Sequence, residues 1–308
     1  MTSTSPPAPR PGRERLGRQT RHGWAFLSPF LVLFLLFQAV PIGYAVFQSL
    51  RAQEWSGLGL GGPVTRFAGL ENYQRVLQDD EVMNGVLRML LYGAVQVPVM
   101  LGLALAMALL FDAGVLRARR FLQLAAFMPH AVPGIVAAVL WAYLYVPGIS
   151  PVVETLDGLR WEVDFLGPDT VLWSIANIAT WQWTGYNMLI IFAALQALPR
   201  ELFEAARVDG AGGWAVTWRI KVPLLRPALV LTCLFSVIGT LQLFAEPLVV
   251  RSLTANVTGS YTPNMAAYFQ AFGLNDPQYA SAIAVSLALF TFALSYGLMR
   301  LAQKGVDE

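Results

Sequence analysis

The sequence predicts an all-α integral membrane protein with six transmembrane helices. Of its 308 residues 56% are hydrophobic and only 13% are charged, whereas roughly a quarter of the residues in a typical soluble protein are charged. A helix needs about 20 consecutive apolar residues to cross a hydrocarbon core, and six stretches without Asp, Glu, Lys or Arg meet that need. They are residues 22–50, 89–111, 121–153, 170–199, 227–245 and 277–299.

The first helix follows a basic, proline-rich arm, residues 1–23, which we expect to be flexible and cytoplasmic. Its uncharged run is far longer than the ~7–15 residues of a signal-peptide core, so we expect it to be retained. Residues 24–85 comprise this helix and an external segment. Within that segment the sequence predicts a loop at residues 57–63 and a short surface helix at residues 71–80.

Residues 86–301 are predicted to form one bundle with the other five helices, and residues 302–308 a short cytoplasmic tail. The uncharged stretch 252–275 is interrupted by asparagine, glycine and proline, so we expect an external loop there. Prolines inside or beside the spans each remove a backbone donor and predict kinks. They are Pro29, Pro41, Pro98, Pro129 and Pro133.

Basic residues are unevenly divided between the two sides of this topology. Fifteen of the 21 Lys and Arg residues fall on the side that holds both termini, and six fall on the other. The positive-inside rule therefore predicts that both termini are cytoplasmic in a multi-pass protein of the cytoplasmic membrane. The net charge of +2 gives no support to nucleic-acid binding, and the lipid bilayer is the expected surrounding.

The sequence predicts no catalytic residues, no metal site and no cofactor in this chain. Its one cysteine, Cys233, cannot form an intrachain disulfide, and His130 has no second metal ligand at a suitable spacing. The nearest approach to a phosphate-binding loop, Gly12 to Gly17, is followed by Arg18 and Gln19 where that motif needs Lys and then Ser or Thr. We therefore expect any ATP to bind to another chain.

The loop between the fourth and fifth spans, residues 199–226, is longer and more patterned than a connector needs to be. Pro199 can begin a helix, Glu201 and Glu204 suit its positive start, and Gly210 can end it. Four side chains give this short helix an apolar face, although the loop is exposed to water. An apolar face in such a place suggests docking to a partner protein. The four are Leu202, Phe203, Ala206 and Val208.

The order of residues in this loop resembles the EAA loop of the inner-membrane permeases of binding-protein-dependent ABC importers. Val222 departs from the usual leucine before the last proline. The residues that match in type and spacing are Glu204, Ala205, Ala206, Gly210, Ile220 and Pro223.

The resemblance extends over roughly residues 24–301 and is closest to carbohydrate-uptake permeases of the maltose and glycerol-3-phosphate type. It implies a type I ABC importer permease (MetI-like) bundle. The runs that carry it are Glu71-Asn72-Tyr73, Met128-Pro129, Trp181 to Met188, and Leu195-Gln196 through Pro199.

The resemblance also implies partners and roles for the loop residues. The partners would be a second permease, expected to be a different chain, two ATP-binding subunits that hold ATP and magnesium, and an external sugar-binding protein. In the loop, Glu204 and Asp209 would make polar contacts with an ATP-binding subunit. Ala205 and Ala206 would permit close approach, and Gly210 would allow the turn.

Polar and aromatic side chains in the fourth and fifth spans are candidates for a solute pathway. Sugars bind to aromatic faces framed by hydrogen-bonding groups, and polar groups at membrane depth are costly unless they have partners or line water. The alternative for tryptophan and tyrosine is an interfacial belt. For the acidic candidate the alternatives are an outer-gate hydrogen bond, simple exposure or proton coupling. The candidates are Trp183, Tyr186, Asn187, Ser236, Thr240, Gln242 and Glu246.

Two other classes of protein stay open at this point. A secondary transporter driven by an ion gradient usually has charges in mid-span and repeat symmetry, and an intramembrane enzyme needs paired catalytic residues at depth. The sequence favours the importer permease because its mid-spans lack charge and its most elaborate structured loop is cytoplasmic.

Overall fold

A computed structural model describes residues 13–55, 63–114, 116–161 and 163–307 of the protein, and most of them are helical. In chain order the helices are α1 (Arg13–Phe34), α2 (Val40–Ser49), α3 (Glu71–Gln78), α4 (Asp80–Asp112), α5 (Arg119–Ala131), α6 (Gly134–Tyr145), α7 (Pro151–Gly158), α8 (Val171–Gln196), α9 (Arg200–Val208), α10 (Gly213–Val216), α11 (Val222–Leu224), α12 (Arg226–Leu241), α13 (Ala245–Val250), α14 (Pro263–Phe272) and α15 (Pro277–Asp307). The predicted surface helix at residues 71–80 is confirmed as α3. Residues 1–12 of the predicted arm and 57–62 of the predicted loop lie outside the described residues.

The chain also contains two segments of π-helix and one β-hairpin. Segments of π-helix, Leu35–Ala39 and Thr217–Lys221, each stand just before a proline, Pro41 and Pro223. A proline has no N–H for the carbonyl four residues earlier, so the regular bonding pattern cannot continue there. Outside the spans, β1 (Arg51–Trp55) and β2 (Pro63–Phe67) form an antiparallel hairpin that the all-α prediction omits.

The membrane-spanning character is confirmed, and the count of six crossings stays a prediction. In the described chain four helical stretches are long and apolar enough to cross a membrane: Gly23–Ser49, Asp80–Asp112, Arg226–Val250 and Pro277–Leu301. Helices α5 and α6 make a fifth if the bent pair is one span. The fourth predicted span forms the 26-residue helix α8. Its polar side chains make it less apolar than the others.

The predicted third span bends at one of the prolines expected to kink it, and the bend is a full break of the helix. Helix α5 ends at Ala131 and α6 begins at Gly134, with an angle of 95° between the two helices. Pro133 causes the break, because the residue before a proline is pushed from helical to extended backbone. Val132 accordingly has φ −78° and ψ 129°.

The ends of the chain and the stretch 252–275 also differ from the predictions. Helix α1 begins at Arg13 and α15 continues to Asp307, so residues 13–23 are helical rather than a flexible arm, and the tail extends the last helix. Both regions are proline-free and rich in helix-favouring residues. Ten residues of the predicted loop 252–275 form helix α14, because the Thr262 side chain accepts from the Met265 N–H and Pro263 suits the first helical position.

The buried core lies where α4 packs along α8. Met89 and Tyr92 of α4 pack with Ile175 and Ile178 of α8 at one level of this contact. At another level small and large residues alternate, because Ala104 and Ala108 of α4 leave room for Met188 and Ile191 of α8. These contacts set the position of the α8 side chains described next.

Candidate functional site

A cavity of about 340 Å³ lies between α4, α8, α12 and the start of α13. Each of its walls carries polar groups among apolar ones. All seven residues predicted from the sequence for a solute pathway line it: Trp183, Tyr186, Asn187, Ser236, Thr240, Gln242 and Glu246.

The α8 wall is aromatic and is held by an aromatic neighbour on α5. The imidazole of His130 stacks on the ring of Tyr186 at 4.5 Å between centroids and meets the edge of Trp183 at 4.6 Å. Trp183 and Tyr186 stand nearly perpendicular, 5.7 Å apart. Both rings therefore stand on the cavity wall in a fixed cluster. His130 is thus a packing residue of this wall.

A glycine allows α5 to approach this wall. A Cβ atom built on Gly185 would stand 1.8 Å from the carbonyl oxygen of Ala126 on α5, far inside ordinary contact. Only glycine fits where two helix backbones come this close. Gly185 thus sets the distance between His130 and the two cavity rings.

The break between α5 and α6 is also tied to α8. The Gln182 side chain is buried and donates through Nε2 to the backbone oxygen of Val132 at 2.9 Å. A carbonyl exposed by a helix break in an apolar surrounding needs such a donor. One turn of α8 therefore supports the break with Gln182 and lines the cavity with Trp183.

The wall formed by α12 and α13 contains a second helix break, which lies between these two helices. Pro247 has no N–H to donate to the oxygen of Leu243, four residues earlier, and that oxygen instead accepts from the Thr262 hydroxyl at 3.1 Å. The chain between the two helices places Gln242 at the cavity. It also places Glu246 in the first turn of α13, where only 8% of its surface is exposed. The interpretation of Glu246 as simply exposed is therefore wrong.

Helix α4 supplies a wall that the sequence analysis did not include. Tyr92, Gln96 and Met100 follow one another at four-residue spacing and face the cavity. Gln96 donates to the hydroxyl of Thr180 at 3.3 Å, whereas the buried hydroxyl of Tyr92 has no partner in the described part of the chain. The missed signal was Gln96, a polar residue in the middle of an otherwise apolar span.

The loop predicted to dock a partner contains an exposed amphipathic helix, α9. No residue of α9 is buried, and Glu204, Ala205 and the following Asp209 are all exposed. Gly210 ends the turn at φ +85°, a conformation that favours glycine. Ala206, Ile220 and Pro223 are half-buried. The six residues of the EAA pattern and Asp209 are thus divided between helix α9 with its terminal turn and the stretch that returns to the bundle.

That returning stretch is bound to the ends of two long helices through one carboxylate. Asp112, the last residue of α4, accepts from Lys221 Nζ at 2.5 Å and from Gln196 Nε2 at 2.9 Å. The Lys221 and Asp112 side chains are 14% and 16% exposed. Because Gln196 is the last residue of α8, Asp112 joins α4, α8 and the coupling loop, which is our name for residues 199–226.

In the described chain, no group of three or more His, Cys, Asp or Glu residues is placed to hold a metal ion.

Comparison with known proteins agrees with this architecture. Residues 83–307 match the family described as "Binding-protein-dependent transport system inner membrane component". The sn-glycerol-3-phosphate transport system permease protein UgpA of Agrobacterium fabrum is 28% identical, over 92% of this chain and 95% of the relative. The diacetylchitobiose uptake system permease protein NgcF of Streptomyces coelicolor is 28% identical, over 98% of this chain and 90% of the relative.

A solved structure has the same fold. It is a chain of a bacterial ABC transporter involved in the import of the acidic polysaccharide alginate, with a TM-score of 0.79 and 18% identity. The match covers 94% of this chain and 99% of that one, which confirms the predicted importer-permease bundle. By the family match, this chain belongs to the binding-protein-dependent transport system inner membrane components.

Proposed function

We propose that the chain is the permease subunit of an ATP-binding cassette importer that carries a carbohydrate across the cytoplasmic membrane. The observation that carries the proposal is the pairing of two features in one bundle. A polar and aromatic cavity opens between the helices, and an exposed helix, α9, lies in the coupling loop, whose Lys221 binds Asp112 at the end of α4.

The cavity suits a sugar because aromatic faces and hydrogen-bonding groups stand side by side. Trp183 and Tyr186 offer ring faces of the kind that pack on the apolar side of a sugar ring. Ser236, Thr240 and Gln242 offer groups that can exchange hydrogen bonds with its hydroxyls. The two relatives named above have a small polyol phosphate and a disaccharide in their names.

The coupling loop suits a transmission role. Leu202 and Val208 are 46% and 88% exposed on a helix that also exposes Glu204, so an apolar and charged face is free to dock. A partner that binds this face more tightly in one conformation shifts the bundle toward that conformation. Movement of the loop reaches α4 through Lys221.

The complete importer in this proposal has five parts besides lipid. They are this chain, a second permease that is a different chain, two ATP-binding subunits and an external sugar-binding protein. ATP and magnesium bind to the ATP-binding subunits, and this chain performs no hydrolysis. Both of its termini face the cytoplasm.

The test is co-purification of an ATPase with the tagged chain from membranes. The Glu204→Arg, Gly210→Pro double variant reverses the exposed charge and forbids the φ of +85° at the end of α9, so we expect loss of the ATPase. Gly210→Asn is the matched control, because asparagine tolerates a left-handed backbone. Glu154→Arg makes the same charge reversal on α7 and should also retain the ATPase.

A specific observation also favours a second candidate, a transporter driven by an ion gradient. Glu246 is a buried carboxylate at the cavity, and such groups carry protons in ion-coupled transporters. If no ATPase accompanies the wild type, and uptake into vesicles stops when the proton gradient is dissipated, the importer proposal is replaced by this one.

A further inference from the structure

We infer that the cavity selects carbohydrates that carry no negative charge and rejects sugar phosphates and sugar acids. The inference rests on the proposed function and narrows its cargo. Relatives of this chain differ on this point, because the name of one contains a glycerol phosphate and the name of another contains diacetylchitobiose, a neutral disaccharide.

The charge of the cavity lining disfavours an anion. Among the described residues around the cavity, Glu246 is the one acidic side chain, and no lysine, arginine or histidine lines it. Proteins bind phosphates and carboxylates with arginine forks, lysine or free helix amides. The first turn of α13 already holds a carboxylate, that of Glu246, which occupies the position an anion would favour there.

Two basic groups close to the cavity-lining residues are engaged elsewhere. Arg88 stands one turn before Tyr92 on α4, but its guanidinium donates to the backbone oxygen of Tyr261 at 2.7 Å and lies over that ring at 4.2 Å. The His130 ring is stacked on Tyr186, behind the wall. Neither group reaches a solute in the cavity without leaving its present contacts.

The cavity offers hydrogen-bonding groups that suit a neutral sugar. In the described chain no other side chain donates to the Glu246 carboxylate, and the buried hydroxyl of Tyr92 has no partner. A carboxylate accepts hydrogen bonds only, so it suits the hydroxyl donors of a sugar. The Thr240 hydroxyl donates to the backbone oxygen of Ser236, which leaves its lone pairs for another donor.

The size of the cavity sets the expected selectivity. A sphere of 340 Å³ has a diameter of about 9 Å, so an anion inside lies within about 9 Å of the Glu246 carboxylate. At an effective dielectric constant of about 20, repulsion between an anion and the ionised form of Glu246 at that distance weakens binding about 20-fold. The loss is larger at shorter distances.

The experiment measures equilibrium binding to the detergent-purified transporter without its external sugar-binding protein, because that protein imposes its own selectivity. The probes are radiolabelled maltose and trehalose, each paired with its 6-phosphate, together with diacetylchitobiose and sn-glycerol 3-phosphate. We expect at least one neutral sugar to bind, and a phosphate to bind at least about 20-fold more weakly than its neutral parent.

Two variants test whether the cavity carboxylate causes the selectivity. Glu246→Gln keeps the shape and removes the charge, and it should reduce the ratio between neutral sugar and phosphate to within about threefold of one. Glu154→Gln removes an exposed carboxylate on α7, outside the cavity, and should leave the ratio unchanged. Both variants are first checked for the elution profile of the wild type.

The outcomes separate this inference from the function on which it rests. If a phosphate binds the wild type as tightly as its neutral parent, or if Glu246→Gln leaves the ratio unchanged, the inference is wrong and the carbohydrate importer stands. If neither neutral nor anionic probes bind while an ATPase still co-purifies, the carbohydrate cargo itself is wrong, and the inference fails with it.

Discussion

Alanine at position 185 adds one methyl group at the closest contact between α5 and α8. The new Cβ would stand 1.8 Å from the carbonyl oxygen of Ala126 and 2.6 Å from its carbon, whereas Cβ contacts below 3.0 Å essentially do not occur. The helices must therefore separate by at least 1.2 Å, the difference between 3.0 and 1.8 Å. Both clashing atoms belong to a helix backbone, so no side-chain rotation relieves the contact.

The cost follows from that separation. Overpacking a tight contact costs typically ~1–3 kcal/mol, and a backbone clash belongs at the upper end. Alanine recovers about 1 kcal/mol of helix propensity relative to glycine. We expect Gly185→Ala to destabilise the protein by about 2 kcal/mol. Solute affinity should fall as well, because His130 moves away from Trp183 and Tyr186.

The assay is thermal unfolding of the detergent-purified chain followed by size-exclusion chromatography, with uptake measured in parallel. Gly102→Ala is the matched control, since it lies in α4 and nothing stands within 4 Å of its added Cβ. The control should melt at or slightly above the wild-type temperature. Equal melting temperatures for the two variants would show that α5 and α8 are not in backbone contact at Gly185.

Three further predictions concern single contacts. Lys221→Met leaves the Asp112 carboxylate without its cation, and we expect a loss of about 1–3 kcal/mol and less solute uptake per ATP hydrolysed, measured in proteoliposomes. Tyr279→Phe removes the hydroxyl that donates to Asp79 at 2.6 Å, and it should lower the unfolding free energy by about 1–2 kcal/mol. Thr262→Val removes the cap of α14 and the donor to the α12–α13 break, and it should cost about 1–3 kcal/mol and weaken solute binding.

Each of these predictions has a control of its own. Exchanging the charges, Asp112→Lys with Lys221→Asp, should recover part of the coupling that Lys221→Met loses; no recovery would show that the ion pair is not the connection. Tyr73→Phe removes a hydroxyl bonded to Ser49 instead, so it should leave the contact at Asp79 intact. Thr262→Ser keeps the hydroxyl and should behave as the wild type.

The sequence predicted the parts of the site that depend on local chemistry. The residues from Pro199 to Gly210 predicted helix α9, because a proline start, acidic first residues and a glycine end are local signals. Polar side chains in uncharged spans identified the cavity lining on α8 and α12, because burying such groups against lipid is costly. Both kinds of signal require only nearest neighbours along the chain.

The remaining features depend on contacts between distant residues. Pro133 predicted a kink, but the 95° angle is held by Gln182, some 50 residues later. The side of α4 that faces the cavity was not predicted, because in this almost uniformly apolar helix Gln96 is a single polar mark of the face that lines it. Lys221 and Asp112 are 109 residues apart, and neither has a local signal for its partner.

The contact of Asp112 with both Gln196 of α8 and Lys221 of the coupling loop has a consequence for chimeras of related permeases. A segment exchanged as residues 199–226 would take Lys221 with it and leave Asp112 and Gln196 behind in the recipient. The exchanged loop would then fold against residues of α4 and α8 that pair with a different loop in the recipient. The transferable unit therefore includes the last turns of α4 and α8, and chimeras cut at the loop ends alone should fold while losing the link between ATP hydrolysis and transport.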